Sequence, residues 1–230
     1  MTQSSSDHGF VEAAQRLLAS SANRWTQGQL LEAAQRAALR NTGWPIGLVL
    51  QTDDLKPKPS ADGIEARFLT ASGDLEDYWR FSRDGSFYVT RLFEEDYIEE
   101  QWQSSEGHPA RALWFDLRIW RIVEIILHSA SLYQALGIPP DEPFLLSIAH
   151  LGLKGREFYT STPLRHVRRG RFSQVAEASW RKELTQDLVQ ASYRDLVEEA
   201  ATELFVLFDF ADIGRPVIDS VLDDFEKRRI

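Results

Sequence analysis

One long apolar helix with strand-like sequence on both sides restricts the fold of this chain more than any other feature. Residues 113–136 are mostly apolar, and their polar side chains recur every three or four positions. That spacing puts the polar groups on one stripe and predicts a helix that protein covers on its other sides. Gly137 and the prolines that follow it end the predicted helix. The sequence therefore predicts a central helix packed against a sheet.

Strand-like runs lie before and after this helix. The clearest signal is the Asp84-Gly85 pair between two aromatic runs, because glycine tolerates the positive φ that a tight hairpin requires. We therefore expect adjacent antiparallel strands on either side of this pair. Residues 152–155 are predicted to join two later strands through a glycine turn. The predicted strands cover residues 46–51, 64–69, 77–81, 87–92, 144–150, 156–160 and 172–182.

Helical signals stand at both ends of the strand-rich region. Apolar spacing predicts a helix at residues 10–19, and a capping-box pattern at Thr26 and Gln29 starts a second helix that ends near residues 41–43. Residues 184–208 are predicted to form a second long helix, and Pro216 opens a last one. The predicted fold is α+β: a mostly antiparallel sheet of six or seven strands packed by two long helices, with an N-terminal helical hairpin and a C-terminal helix.

A single domain is predicted over residues 10–230, because no low-complexity linker divides the chain. Residues 10–43 would be the helical hairpin packed on this domain, and residues 1–9 a flexible segment. The chain has 230 residues, of which 43% are apolar, and this is ample for a sizeable core.

Composition excludes several classes of protein. The absence of cysteine rules out a disulfide scaffold, a thiolate nucleophile and a cysteine zinc site. The formal net charge of −9 argues against attraction of the whole surface to nucleic acid or anionic lipid. Charged residues interrupt the apolar helix, which excludes a lipid-facing span, and the first residues lack the features of a signal peptide. We expect a cytoplasmic protein without a membrane segment, with acids concentrated in residues 72–106 and bases in residues 154–171.

The most enzyme-like group lies on the polar stripe of the long helix. Glu124 stands four residues before His128, so its carboxylate could orient the imidazole and raise its pKa. One hypothesis is a metal-dependent hydrolase or nuclease that uses Glu124, His128 and His150. The alternative is an ion-paired or solvated helix face, to which Arg121 also belongs. No metal-ligand spacing or phosphate-binding glycine loop occurs, so neither a metal nor a cofactor is predicted.

A turn and a basic loop are the candidate contact surface for a ligand or partner. Lys154 and the amides of the 152–155 turn could bind a small acidic ligand beside His150, or this histidine could simply pack at a strand end. The basic loop could bind phosphates, although no aromatic residue is interleaved to stack bases. Its alternatives are a solvated loop and a docking patch for an acidic partner, including another copy of the chain. The candidate binding residues are His150, Lys154, Arg156, Arg165, Arg168, Arg169 and Arg171.

Several short motifs follow one another in an order that resembles a known protein region. They are Asn41-Thr42-Gly43-Trp44-Pro45-Ile46-Gly47, Lys58-Pro59, Asp62-Gly63-Ile64-Glu65-Ala66, Tyr78-Trp79, Asp84-Gly85-Ser86-Phe87-Tyr88, Leu92-Phe93-Glu94-Glu95-Asp96, Trp114-Phe115-Asp116 and His150-Leu151-Gly152-Leu153-Lys154-Gly155-Arg156. This order is similar to the region that follows a Schlafen/AlbA-type ATP- or nucleic-acid-binding domain in many bacterial proteins. The similarity covers about residues 27–228. Here a short serine-rich start and one predicted helix stand in place of the AlbA-type domain, so its nucleotide chemistry is not transferred to this chain.

The resemblance implies a regulatory or interaction module in bacterial transcriptional control or phage defence, and it names no active site. Together with the residue patterns it favours a non-catalytic binding module that recognises a protein partner or small ligand and self-associates. Two alternatives stay open at this point. One is the metal-dependent hydrolase or nuclease, and the other is a nucleic-acid-binding protein that uses the basic loop.

Overall fold

The computed structural model describes residues 8–18, 25–39, 41–42, 44–69, 75–96, 111–162, 165–210 and 213–227. Its strands are β1 (Phe10–Leu17), β2 (Lys58–Ser60), β3 (Gly63–Leu69), β4 (Leu75–Ser82), β5 (Phe87–Leu92), β6 (Ala112–Trp114), β7 (Phe144–Leu151), β8 (Glu157–Tyr159) and β9 (Glu177–Leu184). Its helices are α1 (Gln27–Ala37), α2 (Phe115–Ala135), α3 (Gln186–Phe205) and α4 (Arg215–Lys227), and a 3-10 turn (Val206–Phe208) follows α3.

Seven of the described strands form one antiparallel sheet in the order β2-β3-β4-β5-β1-β7-β9. Strands β6 and β8 pair in parallel as a separate small sheet. The α+β fold with a mostly antiparallel sheet is therefore confirmed. None of the described helices combines the length and the apolar character that crossing a bilayer requires.

The first element is a strand, so the predicted helix at residues 10–19 is wrong, and with it the N-terminal helical hairpin. Val11, Ala13 and Gln15 are buried, and the residues between them face the other side of the sheet. Strand β1 pairs with β5 on one side and β7 on the other. Alanine has the highest helix propensity of all residues, but its advantage over most others is under about 1 kcal/mol, and cross-strand pairing along both edges of β1 outweighs it. Most of the predicted flexible segment, residues 1–7, lies outside the described residues.

Two local predictions are confirmed by their hydrogen bonds. Helix α1 begins after Thr26, whose hydroxyl accepts from the Gln29 amide, while the Gln29 side chain accepts from the Thr26 amide at 2.9 Å. The Asp84-Gly85 turn joins β4 to β5 as an antiparallel hairpin, and Gly85 has a φ of 84°. A side chain at that φ would be strained, which is why glycine stands there.

One strand prediction fails, and two others differ from the structure in pairing or in bounds. Residues 46–51 form a loop and not a strand, because their backbone is bonded to buried side chains of neighbouring elements. Residues 156–160 do contain a strand, β8, but it pairs with β6 and not with β7 across the glycine turn. The strand predicted at residues 172–182 begins later, at Glu177.

Helix α2 is largely buried and contacts α1, α3 and α4. These helices cover the sheet face that carries Trp79, Phe87 and Trp180; the ring of Phe87 contacts His128 of α2, and Trp180 donates to Glu199 of α3. The strands alternate, so every second side chain points to the opposite face. No described helix covers that opposite face, which we call the open face of the sheet.

Candidate functional site

The polar stripe of α2 is buried and ion-paired. Arg118 is fully buried and donates to Glu94 at 2.6 Å and to Glu95 at 2.7 Å. Arg121 donates to Glu94 at 2.6 Å and forms a second ion pair with Glu124. Glu94 and Glu95 come two and three residues after the end of strand β5, so these contacts tie that end of the strand to helix α2. The stripe is thus the ion-paired helix face, placed inside the protein.

Glu124 holds the loop of residues 44–50 against α2. Its Oε1 accepts from the Thr42 hydroxyl at 2.8 Å and from the Ile46 amide at 3.1 Å. Arg91 strengthens the same attachment, because it pairs with Asp77 and donates to the carbonyls of Trp44 and Pro45 at 3.0 and 3.1 Å. The carboxylate proposed as a catalytic group therefore has its oxygens occupied by structural hydrogen bonds.

A second part of the same network surrounds Phe93. The guanidinium groups of Arg118 and Arg156 lie 4.5 and 4.9 Å from the centre of its ring. Arg156 also makes two hydrogen bonds to Asp96, at 2.7 and 2.6 Å, and Asp96 accepts from the Gly9 amide at 2.8 Å. Motifs from four distant stretches of sequence thus meet in one cluster of buried charges.

Burial and neighbouring charges shift the pKa values in this cluster. Burial opposes ionisation of Glu94, but the charges of Arg121, Arg118 and Arg91 outweigh it and hold its pKa below the ordinary value. Burial raises the pKa of Glu95. Removing one partner of such a buried ion pair typically lowers the free energy of unfolding by about 3–5 kcal/mol, because the other charge is left unpaired. The network therefore stabilises one arrangement of the elements.

The two histidines of the hydrolase hypothesis are also inside the core. His128 is 1% exposed with its ring against Phe87, and burial lowers its pKa to about 4. His150 is 3% exposed beside Phe93, and burial together with the charge of Arg118 lowers its pKa to about 3. A substrate could reach Glu124 or either histidine only if the core opened. The described residues also contain no group of three or more acids and histidines that could hold a metal ion.

The seven residues of the predicted contact surface do not all lie at the surface. Arg156 and His150 are buried in the core, so their assignment to a contact surface is corrected. Lys154 and Arg168 are exposed. The remaining arginines of the basic loop are bound within the protein: Arg165 to Asp224, Arg169 to Glu157, and Arg171 to the carbonyl of Asp209. Internal carboxylates thus neutralise much of the charge that the sequence concentrates in this loop.

A hollow of about 640 Å³ lies on the open face of the sheet, where the sequence predicted no site. It spans five strands of the sheet, from β4 to the edge strand β9. The residues that line it are Ala14, Gln15, Arg16, Tyr78, Arg80, Ser82, Ser86, Phe87, Tyr88, Leu145, Ser147 and Arg181. Three of these are arginines and none is an acid, although the chain as a whole carries a net charge of −9.

The strand register places the floor of the hollow in a single row across five strands. Arg80 pairs with Tyr88, Tyr88 with Ala14, Ala14 with Ser147, and Ser147 with Arg181. Neighbouring strands are about 4.8 Å apart, so the two terminal arginines of this row are about 19 Å apart at their Cα atoms. Small side chains in the middle of the row leave the hollow open between them.

The arginines of the hollow have few internal partners. The described residues supply no ion-pair partner to Arg16 or Arg181, and Arg80 meets only a distant one, the exposed Asp62 at 3.7 Å. The Nε of Arg80 is shielded from solvent, and no described residue accepts its hydrogen bond. A buried donor without an acceptor is costly, so a bound acceptor would satisfy it.

Two tyrosines supply the aromatic surface of the hollow. The rings of Tyr78 and Tyr88 are 6.3 Å apart and tilted by 56°. The Tyr78 hydroxyl donates to Glu65 at 3.1 Å. Burial, together with the charge and hydrogen bond of Glu12, raises the pKa of Tyr88 to about 12. Both hydroxyls therefore stay protonated and tethered at neutral pH, which fixes the rings.

Sequence reasoning missed this site because it assigned residues 10–19 to a helix. With β1 in the centre of the sheet, Ala14 and Arg16 stand on the open face beside Tyr88 and Leu145. The sequence did contain one signal for this site: alternation along the two strands of the Asp84-Gly85 hairpin predicts Tyr78, Arg80 and Tyr88 on the same face of the sheet.

Comparison of the chain with protein-family models, with curated proteins and with solved structures finds no match in any of the three. By its fold and its hollow, the chain is an α+β protein whose sheet has one face covered by helices and one open face, with a hollow that arginines and tyrosines help to line.

Proposed function

We propose that the protein is a non-catalytic binding module that holds a multiply charged anion in the hollow of its open sheet face. The observation that carries the proposal is the lining, which contains Arg16, Arg80 and Arg181 and no carboxylate. Guanidinium groups bind carboxylates and phosphates through paired, charge-assisted hydrogen bonds. The volume of about 640 Å³ lies within the range of roughly 300–1,000 Å³ typical of small-molecule sites.

The overall charge of the protein favours a compact ligand over a long polymer. A net charge of −9 repels a polyanion that extends beyond the hollow. Salt screens charges over about 8 Å at physiological ionic strength, so an anion inside the hollow responds mainly to the groups beside it. These are the three arginines of the lining and, at the hydroxyls of Tyr78 and Tyr88, the carboxylates of Glu65 and Glu12. A compact anion in the hollow is therefore favoured over nucleic acid bound through the basic loop.

A partner role stays part of the proposal on the strength of the resemblance to the region after an AlbA-type domain. That resemblance suggests a regulatory module in a bacterial transcriptional-control or phage-defence system, with a protein partner or self-association. Lys154 and Arg168 are exposed members of the predicted contact surface, and Phe172, four residues after Arg168, exposes 47% of its surface. They mark where such a partner would dock.

The anion-binding proposal is tested by calorimetric titration with tripolyphosphate at low and at physiological salt. We expect saturable binding that weakens as salt rises. Each of Arg16→Gln, Arg80→Gln and Arg181→Gln removes a charge-assisted hydrogen bond worth about 1.5–3 kcal/mol, so affinity should fall by about tenfold or more. The matched control is Arg36→Gln, since Arg36 is an exposed arginine on α1 that pairs with Glu32.

Arg36→Gln should leave the affinity unchanged. Absence of saturable binding at low salt would refute the proposal, as would an equal loss in all four variants, because the attraction would then not be located in the hollow.

A further inference from the structure

We infer that the anion bound in the hollow is a nucleotide with more than one phosphate group, whose base lies over Tyr88 and whose phosphates contact the surrounding arginines. This inference rests on the proposed function and goes further, because it names the chemical class of the ligand. It is carried by the order of side chains along the sheet and by the way the tyrosine rings are held.

The first step is the flat floor beside Tyr88. In the row across the strands, Tyr88 is followed by Ala14 and Ser147, whose side chains are small. A planar group can therefore lie on the sheet next to the tyrosine ring without displacing protein atoms. Base–aromatic stacking of this kind is worth about 1–3 kcal/mol per base and tolerates any base.

The second step is the fixed orientation of the rings. The hydroxyl of Tyr78 is bonded to Glu65, and that of Tyr88 interacts with Glu12, so both polar ends are tied to neighbouring strands. The guanidinium of Arg67 lies over the ring of Tyr78, 5.4 Å from its centre, so we assign the base to the ring of Tyr88. A tethered ring loses little conformational entropy when a base stacks on it, which makes it a better platform than a freely rotating side chain.

The third step is the spacing of the positive charges. Arg80 and Arg181 stand at the two ends of the row, about 19 Å apart at Cα, and Arg16 lies two residues, or about 7 Å, along β1 from Ala14. Side chains on a strand stand roughly perpendicular to the sheet, so one phosphate would meet all three guanidinium groups only if the arginines leaned far inward. A ligand with at least two anionic groups separated by a spacer, and a part that covers the floor, contacts them without that rearrangement.

Simpler anions use only part of this arrangement. Inorganic polyphosphate would contact the arginines but gain nothing from the tyrosines, and an aromatic monocarboxylate would leave two arginines unpaired. A nucleotide with several phosphates uses both kinds of surface. Two sources share this chemistry, a nucleoside polyphosphate and a short single-stranded oligonucleotide, and they differ in how the bases and phosphates are distributed.

The test is a calorimetric titration of the full chain with four probes: ATP, the dinucleotide pApA, tripolyphosphate and adenosine. We expect ATP or pApA to bind at least tenfold more tightly than tripolyphosphate, and adenosine more weakly than either. Tyr88→Leu should weaken nucleotide binding by about fivefold to 150-fold, in line with loss of one stack, and leave tripolyphosphate binding unchanged. Tyr88→Phe keeps the ring and should retain nucleotide binding.

Tyr193→Leu is the matched control, because this tyrosine lies on α3 and bonds to Glu226, away from the sheet face. If Tyr88→Leu does not fold, Ala14→Leu replaces it, since a larger side chain at this exposed position covers the floor and keeps every arginine. Ala14→Leu should weaken binding of the nucleotides more than binding of tripolyphosphate.

The outcomes separate the two proposals. If tripolyphosphate binds as tightly as both nucleotides and Tyr88→Leu changes neither affinity, the nucleotide inference is overturned and the anion-binding function stands. If none of the phosphate-containing probes binds, both are overturned. Tighter binding of ATP than of pApA supports the inference and identifies a nucleoside polyphosphate, whereas the reverse order supports it and identifies a short oligonucleotide.

Discussion

Single residues determine how closely the loop of residues 44–50 approaches helix α2. Gly47 has a φ of 68°, and a Cβ atom there would lie 2.6 Å from Nε2 of His128. The loop is also fixed by Glu124, which accepts hydrogen bonds from Thr42 and Ile46. The side chains that looked catalytic in the sequence thus hold backbone in place, and the absence of a Cβ at one position allows the contact.

Gly47→Ala should lower the free energy of unfolding by about 3 kcal/mol or more, measured by urea denaturation. The left-handed backbone alone costs about 1–2 kcal/mol for an alanine, and the contact with His128 adds to this. Gly155→Ala is the control: Gly155 has a φ of 78°, but a Cβ there has open space around it. Equal losses in the two variants would show that the His128 contact contributes nothing.

Individual elements show what local sequence can and cannot predict. The Asp84-Gly85 hairpin and the Thr26 capping box were predicted because their hydrogen bonds form within a few residues of each other. Strand β1 was not, because its alternation is short and alanine-rich, and its conformation depends on partners in β5 and β7. The hollow was missed for the same reason, since Ala14 and Arg16 reach it only when β1 is a strand.

Hydrogen exchange tests the placement of β1 within the sheet. Its backbone is paired on both sides, so its amides should exchange as slowly as those of β7, through large-scale unfolding. The short β2, at one edge of the sheet, serves as the comparison and should exchange sooner. Rapid exchange of β1 under conditions that protect β7 would contradict the central position.

At the scale of the whole molecule, stability depends on keeping two histidines neutral inside the core. His128 and His150 have pKa values of about 4 and about 3, both below the ordinary histidine value, because burial disfavours the charged ring. The unfolded chain therefore takes up these protons first as the pH falls. Their contribution to stability is complete above about pH 6.5 and is lost progressively as the pH falls towards the folded-state values.

The pH dependence of unfolding should be shallower in His128→Gln than in the unsubstituted protein. Between pH 6 and pH 4.5 the slope should decrease by about 1.4 kcal/mol per pH unit, the amount expected for one proton. Asp77 and Glu95, whose pKa values burial raises, act in the opposite direction but are present in both proteins and cancel. His166→Gln, at an exposed position, is the control. Parallel curves for the unsubstituted protein and His128→Gln would disprove the assignment.

The first of the described strands, β1, lies between two strands from later in the chain, and this affects how the protein is made. During synthesis, β1 leaves the ribosome long before residues 87–92 and 144–151, which supply both of its neighbours. Until then its backbone groups have no native strand to pair with. Such non-local pairing is typical of slow folding and prolongs exposure to aggregation. We therefore expect the nascent chain to depend on chaperones until β7 has emerged.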